Sequence, residues 1–166
     1  AAAGLFCLKN RKSCLLPDKI RLLEKRWLFP FPKCNEAQEI VKAGIATSMI
    51  DISDGLSSDL FHILEESGVG AEVWEDSLPV LSEVKTLSEV AGISYMDFVL
   101  NGGEDYQLLF TARGSEEPEK KLSFPVFEIG KIIEERGLFL VDKEGRKRKI
   151  KPGGWDHFPS KERKGK

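Results

Sequence analysis

Ser48-Met49-Ile50-Asp51-Ile52-Ser53-Asp54-Gly55-Leu56 is the stretch on which the reading of this chain turns. Thr47 to Ile52 is an apolar run of a length suited to a buried strand. It passes at once into a helical pattern from Asp54 to Ser67, with Leu56, Leu60, Ile63 and Leu64 recurring at the spacing of one helix face. Gly68-Val69-Gly70 ends that helix. A strand feeding straight into an amphipathic helix calls for a sheet with helices laid on it.

The flanking sequence extends the pattern. Downstream, Ala71 to Trp74 reads as a strand. Leu81 to Ala91 reads as a helix that turns Val84, Leu87 and Ala91 inward and stops at Gly92. Asp97 to Leu100, Tyr106 to Thr111, Val126 to Ile133 and Leu138 to Asp142 read as strands, and Lys143-Glu144-Gly145-Arg146 reads as a turn. Upstream the chain is helical. One helix covers Ala1 to Leu8. A second starts at Pro17-Asp18, carries Ile20, Leu23 and Trp27 on one face, and halts at Leu28-Phe29-Pro30-Phe31-Pro32, because proline disfavours helix in the residue before it. A third is capped by Asn35, runs through about Lys42 and ends at Gly44. The expectation is an α+β fold, a mixed β-sheet with helices packed on it. It forms a single domain over residues 1–158, with a helical lead-in at 1–44, an α+β core at 45–158 and a disordered basic tail at 159–166.

Charge is distributed in blocks. The chain of 166 residues carries a net charge of −2, yet Asn35 to Phe110 holds fifteen acidic and two basic residues. That segment has a net charge of −13 and the remainder +11. An acidic centre with basic ends is unlike the basic stripe of a nucleic-acid binder, so no nucleic-acid partner is expected. Acidic residues at that density suit either bound divalent cations or solvated helix faces. No apolar run reaches the roughly 18 residues of a membrane span, and Leu5-Phe6-Cys7-Leu8 lacks the flanks of a signal peptide. No membrane association is expected. Cys7, Cys14 and Cys34 are odd in number and form no CxxC pair. With His62 and His157 the chain's two histidines, neither a disulfide framework nor a zinc site is expected. The three thiols read as buried small hydrophobes in a reducing, cytoplasmic compartment.

Three groups of residues can carry chemistry. Asp51-Ile52-Ser53-Asp54-Gly55 lies where the strand runs out and the helix begins. The unpaired N–H groups and dipole of a helix N-terminus attract anions such as phosphate, and two nearby carboxylates can hold hard cations. Alternatively, Ser53 or Asp54 is only a helix N-cap and Asp51 a solvated strand end. Asn101-Gly102-Gly103-Glu104-Asp105-Tyr106 pairs two glycines, which allow close backbone approach, with two acids. It is either a binding loop or a tight turn into the next strand. Gly153-Gly154-Trp155-Asp156-His157-Phe158 offers either a stacking wall for a flat ring or an aromatic C-terminal anchor. The chain has no GxxxxGK[ST] loop, no GxGxxG and no HExxH.

SMIDISDGL, together with Gly102-Gly103-Glu104-Asp105-Tyr106-Gln107-Leu108-Leu109-Phe110, resembles the C-terminal half of the thiamine-monophosphate kinase family, in the superfamily of aminoimidazole ribonucleotide synthetase. Ala2-Ala3-Gly4-Leu5, Ser67-Gly68-Val69-Gly70-Ala71, Leu78-Pro79 and Gly154-Trp155-Asp156-His157-Phe158 follow the family in order, so the resemblance runs from residue 2 to about 158. It implies transfer of the γ-phosphate of ATP to thiamine monophosphate, giving thiamine diphosphate, with several Mg²⁺ ions. It implies Asp51 and Asp54 as Mg²⁺ ligands, Ser53 as an ATP contact, and Glu104 with Trp155 or Phe158 as substrate contacts. No covalent nucleophile is implied, since phosphoryl transfer rests on positioning and charge neutralisation. It also implies a homodimeric full-length protein whose N-terminal kinase domain is absent here, and so a chain inactive alone. Trp27, Phe29 and Lys33 stand where the family usually has His, Arg and Arg, and lysine lacks arginine's bidentate fork.

Overall fold

The computed structural model of the protein describes residues 1–10, 17–114 and 116–154. Three helices lead in: α1 (Ala2–Lys9), α2 (Pro17–Leu28) and α3 (Cys34–Ala43). Then come β1 (Ala46–Asp51), α4 (Leu56–Ser67), β2 (Gly70–Trp74), α5 (Ser82–Ala91), α6 (Tyr95–Asn101) and β3 (Leu108–Ala112). The chain continues through the single-turn helix α7 (Pro118–Lys121) to β4 (Gly130–Ile133), β5 (Gly137–Val141) and β6 (Lys147–Ile150).

The strands form two sheets. β1 and β3 pair antiparallel, with Asp51 opposite Leu108. The other sheet is mixed and ordered β4-β2-β5-β6, with β2 parallel to β5 and the remaining pairs antiparallel. This is the expected α+β class with one refinement, that the motif strand β1 belongs to a separate ribbon. The main core lies between the sheets and α4 and α6. Leu56, Leu60, Ile63 and Leu64 of α4 meet Val73, Leu138 and Leu140 of the mixed sheet, while Leu109 joins from β3. A second cluster ties α1 and α2 to α5 through Ala3, Cys7, Leu23 and Leu87. A third closes α3 on the ribbon through Ile40, Ile45 and Leu122.

Several expectations are corrected. Asp97 to Leu100 is helical, because the Ser94 side chain accepts from the Met96 N–H at 3.3 Å and so starts α6. Met96 and Leu100, one turn apart, then bury together. The strand expected from Val126 is confined to Gly130–Ile133. Asn35 lies inside the first turn of α3, whose N-cap is Lys33. The basic strand β6 fills the free edge of β5. Cys7 is buried as expected, but Cys34 is exposed; Cys14, Trp155, His157, Phe158 and the basic tail lie outside the described residues. No helix among the described residues is long and apolar enough to cross a membrane.

Candidate functional site

The Asp51–Gly55 loop takes its shape from a residue that pattern reading left among the acids of the acidic block. Asp59, on the first turns of α4, is 2 % exposed. Its Oδ2 accepts the backbone N–H groups of Ser53 (3.0 Å), Asp54 (3.1 Å) and Gly55 (3.1 Å). Burial pushes its carboxyl upward, while the three donors and the neighbouring charge of Asp54 act on it in opposite senses. Two expectations change in consequence. These three amides already have an anion, supplied by the protein, so they do not form a phosphate cradle. The N-cap of α4 is Gly55, so neither Ser53 nor Asp54 occupies the capping position. The legible signal was spacing: a carboxylate four residues after the Asp-Gly pair, on a helix, leans back over the turn that precedes it.

The second motif is sewn onto the first. Glu104 N–H donates to the Ser53 carbonyl and Tyr106 N–H to the Ile52 carbonyl, both at 2.8 Å, and Ile52 N–H donates to the Gln107 carbonyl at 2.8 Å. The approach needs glycine at 103, where a Cβ would lie 2.4 Å from the Ser53 carbonyl oxygen. Glu104 and Tyr106 both hold positive φ, 68° and 49°. Such conformations cost side-chain-bearing residues energy and concentrate at functional loops. The Tyr106 hydroxyl donates to Glu104 Oε2 at 3.1 Å. Its pKa is raised first by that bond, then by burial and by the charges of Glu104, Asp51 and Asp54. Of these carboxylates, Glu104 is the one bonded to the phenol. Asp105 accepts from the Ala1 nitrogen, joining the start of α1 to the loop.

The third motif arrives at the same place. Gly153 N–H donates to Ser57 Oγ and Gly154 N–H to Ser58 Oγ, both at 3.1 Å. A Cβ on Gly154 would lie 2.2 Å from the Asp54 carbonyl oxygen. The fold thus brings together Asp51, Ser53, Asp54 and Glu104, and delivers the glycines preceding Trp155 to their side. His62, exposed on α4, is not among them. A groove of about 480 Å³ between α4 and β5–β6, lined by Phe61, Leu64, Val69, Arg136 and Ile150 among others, touches none of these candidate residues.

The donor set bears on metal binding. Asp51 and Asp54 supply hard oxygen ligands, and among the described residues no histidine or cysteine is grouped with them. Mg²⁺ is commonly held by one or two carboxylates, with water and phosphate completing its shell. Among the described residues no group of three or more His, Cys, Asp or Glu could hold a metal ion. Two carboxylates fit Mg²⁺ shared with another ligand and do not form an all-protein cage. Lys33 of the family's arginine-rich segment pairs with Glu36 at 2.8 Å, and Phe29 is exposed.

Residues 24–147 match the family described as "AIR synthase related protein, C-terminal domain". The chain is 35% identical over 158 residues to the thiamine-monophosphate kinase of Aquifex aeolicus, covering 94% of this chain and 47% of that protein. It is 40% identical over 166 residues to that of Haemophilus influenzae, covering 95% and 49%. Among solved structures it superposes on AaThiL complexed with AMPPCP and TMP with a TM-score of 0.75 at 35% identity, over 95% of this chain and 47% of that one. Escherichia coli HypE, a hydrogenase maturation protein, shares the fold at a TM-score of 0.67 and 19% identity, over 91% and 46% of the two chains. The chain spans about half the length of the curated relatives it matches.

Proposed function

The chain belongs to the AIR synthase related proteins, as their C-terminal domain, and on that premise we propose that it is the C-terminal half of a thiamine-monophosphate kinase. The reaction is transfer of the γ-phosphate of ATP to thiamine monophosphate, yielding ADP and thiamine diphosphate. The observation that supports this reading is the convergence of the three motifs, in which the main chain of Glu104 and Tyr106 is bonded to Ser53 and Ile52 and the C-terminal glycines are bonded to Ser57 and Ser58.

Asp51 and Asp54 would hold Mg²⁺, which supplies charge neutralisation between nucleotide phosphates. Ser53, outside the capping position, contacts ATP. Glu104, held by Tyr106 and by its own main-chain bond to Ser53, contacts thiamine monophosphate. Trp155 or Phe158, following the glycines docked on α4, packs against the substrate. No residue here acts as a covalent nucleophile. The chain's part is to bind and orient, and the two-carboxylate donor set leaves metal ligation to be completed by phosphates and by the N-terminal domain of a homodimeric, cytoplasmic protein. On this reading the chain alone does not turn over.

The test is ADP release by the longest native polypeptide containing the segment, with Mg²⁺-ATP and either thiamine monophosphate or thiamine. Release that requires the monophosphate, and that falls at least 100-fold in Asp51→Asn without unfolding, supports the proposal (a magnitude on the order of that for an electrostatic group at a charge-developing site). No release leaves a non-catalytic binding or remnant domain of the same fold.

A further inference from the structure

The second and third motifs meet at one buried hydroxyl, on the helix that follows the first. Ser57, on the first turn of α4, is 1 % exposed. Its Oγ donates to Asn101 Oδ1 at 3.0 Å and accepts the Gly153 N–H at 3.1 Å. A serine hydroxyl has one proton to give and two acceptor positions. This group therefore gives its proton to the residue that precedes Gly102-Gly103-Glu104 and receives one from the C-terminal glycine pair. Its own backbone belongs to the helix that follows the Asp51–Gly55 loop. Ser58 repeats the contact one residue later by accepting from Gly154. The seat is tight from the opposite direction as well, because a Cβ on Gly154 would also lie 2.5 Å from Ser58 Oγ.

We propose that Ser57, seconded by Ser58, is a positioning residue that fixes the C-terminal segment against the metal loop and so sets how thiamine monophosphate is bound. Neither serine touches substrate; each acts through Gly153 and Gly154. The substrate half of this inference rests on the proposed kinase function, whereas the tie itself rests on geometry alone. Without the hydroxyl, Asn101 Oδ1 and Gly153 N–H lose a shared partner, and the second and third motifs can shift relative to the first. Apolar contacts of α4 with the sheet are untouched, so the effect is one of register and not of core packing.

The experiment has two arms. In the 166-residue chain, amide hydrogen exchange at Gly153 is followed in Ser57→Ala and in Gly154→Ala, the second of which displaces the segment with both serines intact. Exchange at Gly153 is expected to quicken about tenfold in each, the fold-change of one lost hydrogen bond, while Val73 and Leu140 in the mixed sheet keep their protection. In the longest polypeptide carrying the chain, KM for thiamine monophosphate is expected to rise about fivefold or more, with KM for ATP within about twofold. Unchanged exchange at Gly153 in both variants overturns the tie, whether or not the kinase reading stands. Faster exchange with an unmoved KM for thiamine monophosphate overturns the link to substrate. Absence of any turnover in the unaltered polypeptide instead overturns the kinase reading, and the exchange arm still decides the tie.

Discussion

Replacing Asp59 by alanine removes a carboxylate that is 2 % exposed and holds three main-chain N–H groups at 3.0, 3.1 and 3.1 Å. A hydrogen bond to a charged group contributes about 1.5–3 kcal/mol, so three taken independently would contribute roughly 4.5–9 kcal/mol. The buried charge opposes this, since removing an ion from water costs several kcal/mol even after the protein relaxes. For the ionised form burial outweighs the three donors, in keeping with the raised carboxyl, so the expected loss at neutral pH comes from leaving buried N–H groups without a partner, about 2–4 kcal/mol in all at about 1–3 kcal/mol for each group that stays dry. At about 2–4 °C per kcal/mol for a chain of this size, the midpoint of thermal unfolding falls by roughly 4–16 °C. Asp59→Asn keeps an acceptor oxygen without the charge and loses less. Its cost also has a pH signature. Burial raises the Asp59 carboxyl in the folded state, so this residue's contribution declines as pH rises from the ordinary aspartate value of about 3.9 through the raised one. The asparagine variant lacks that slope, and its deficit relative to the native chain is larger at acid pH than at neutral pH. Urea unfolding combined with amide exchange at Ser53, Asp54 and Gly55 is the assay. A loss below about 0.5 kcal/mol in Asp59→Ala, the range of an ordinary surface substitution, or undiminished protection of those three amides, refutes the reasoning.

Two further outcomes follow from the packing and the charges. Gly103→Ala places a Cβ 2.4 Å from the Ser53 carbonyl oxygen; backbone on both sides cannot yield cheaply, and a loss of about 1–3 kcal/mol is expected in urea unfolding. Glu72 is held below the usual carboxylate range by its bond to Lys131 (3.1 Å), against its own desolvation, with help from Lys147 (3.3 Å). Its stabilisation is therefore complete above the unfolded glutamate value of about 4.3 and is lost as pH falls through the lowered folded value, so the unfolding midpoint of Glu72→Gln should fall less than that of the native chain between about pH 5 and pH 3.

The sequence makes visible what short-range periodicity controls. The β1–α4 unit is legible because an apolar run changes period at a fixed point, and the ends of α3, α4 and α5 because Gly44, Gly68 and Gly92 adopt the left-handed conformation there. α6 was misread because four residues, Asp97 to Leu100, are too few to separate the two periods. The deciding signal was the serine two residues before Met96, which caps the helix. β6 carries no apolar alternation at all. Lys147, Arg148 and Lys149 become a strand because β5 offers an unpaired edge and because the Lys147 ammonium can lie 3.9 Å from the centre of the Phe139 ring. At the candidate site, the residue types on offer were visible and their assembly was not. Which segments share a hydroxyl, as at Ser57, depends on the return of the chain from β6 to α4. That return joins residues 96 positions apart.

Asp59 also explains why an acidic loop would need a cation to meet a nucleotide. Amides pointing out of a strand-to-helix turn normally attract phosphate, but here Ser53, Asp54 and Gly55 direct theirs at a carboxylate of the same chain. The side chains of Asp51 and Asp54 present a negative field, to which Glu104, bonded to the Tyr106 hydroxyl, adds. A phosphate approaching this surface meets repulsion from the side chains and no free donors from these three amides. On the kinase reading, attraction then has to come from divalent cations held by Asp51 and Asp54, and bare ATP should find no seat on the loop. The acidic block from Asn35 to Phe110, with its net charge of −13, then has a physical purpose at one end. On that reading its carboxylates would concentrate metal where a buried one of their own number, Asp59, already occupies the amides.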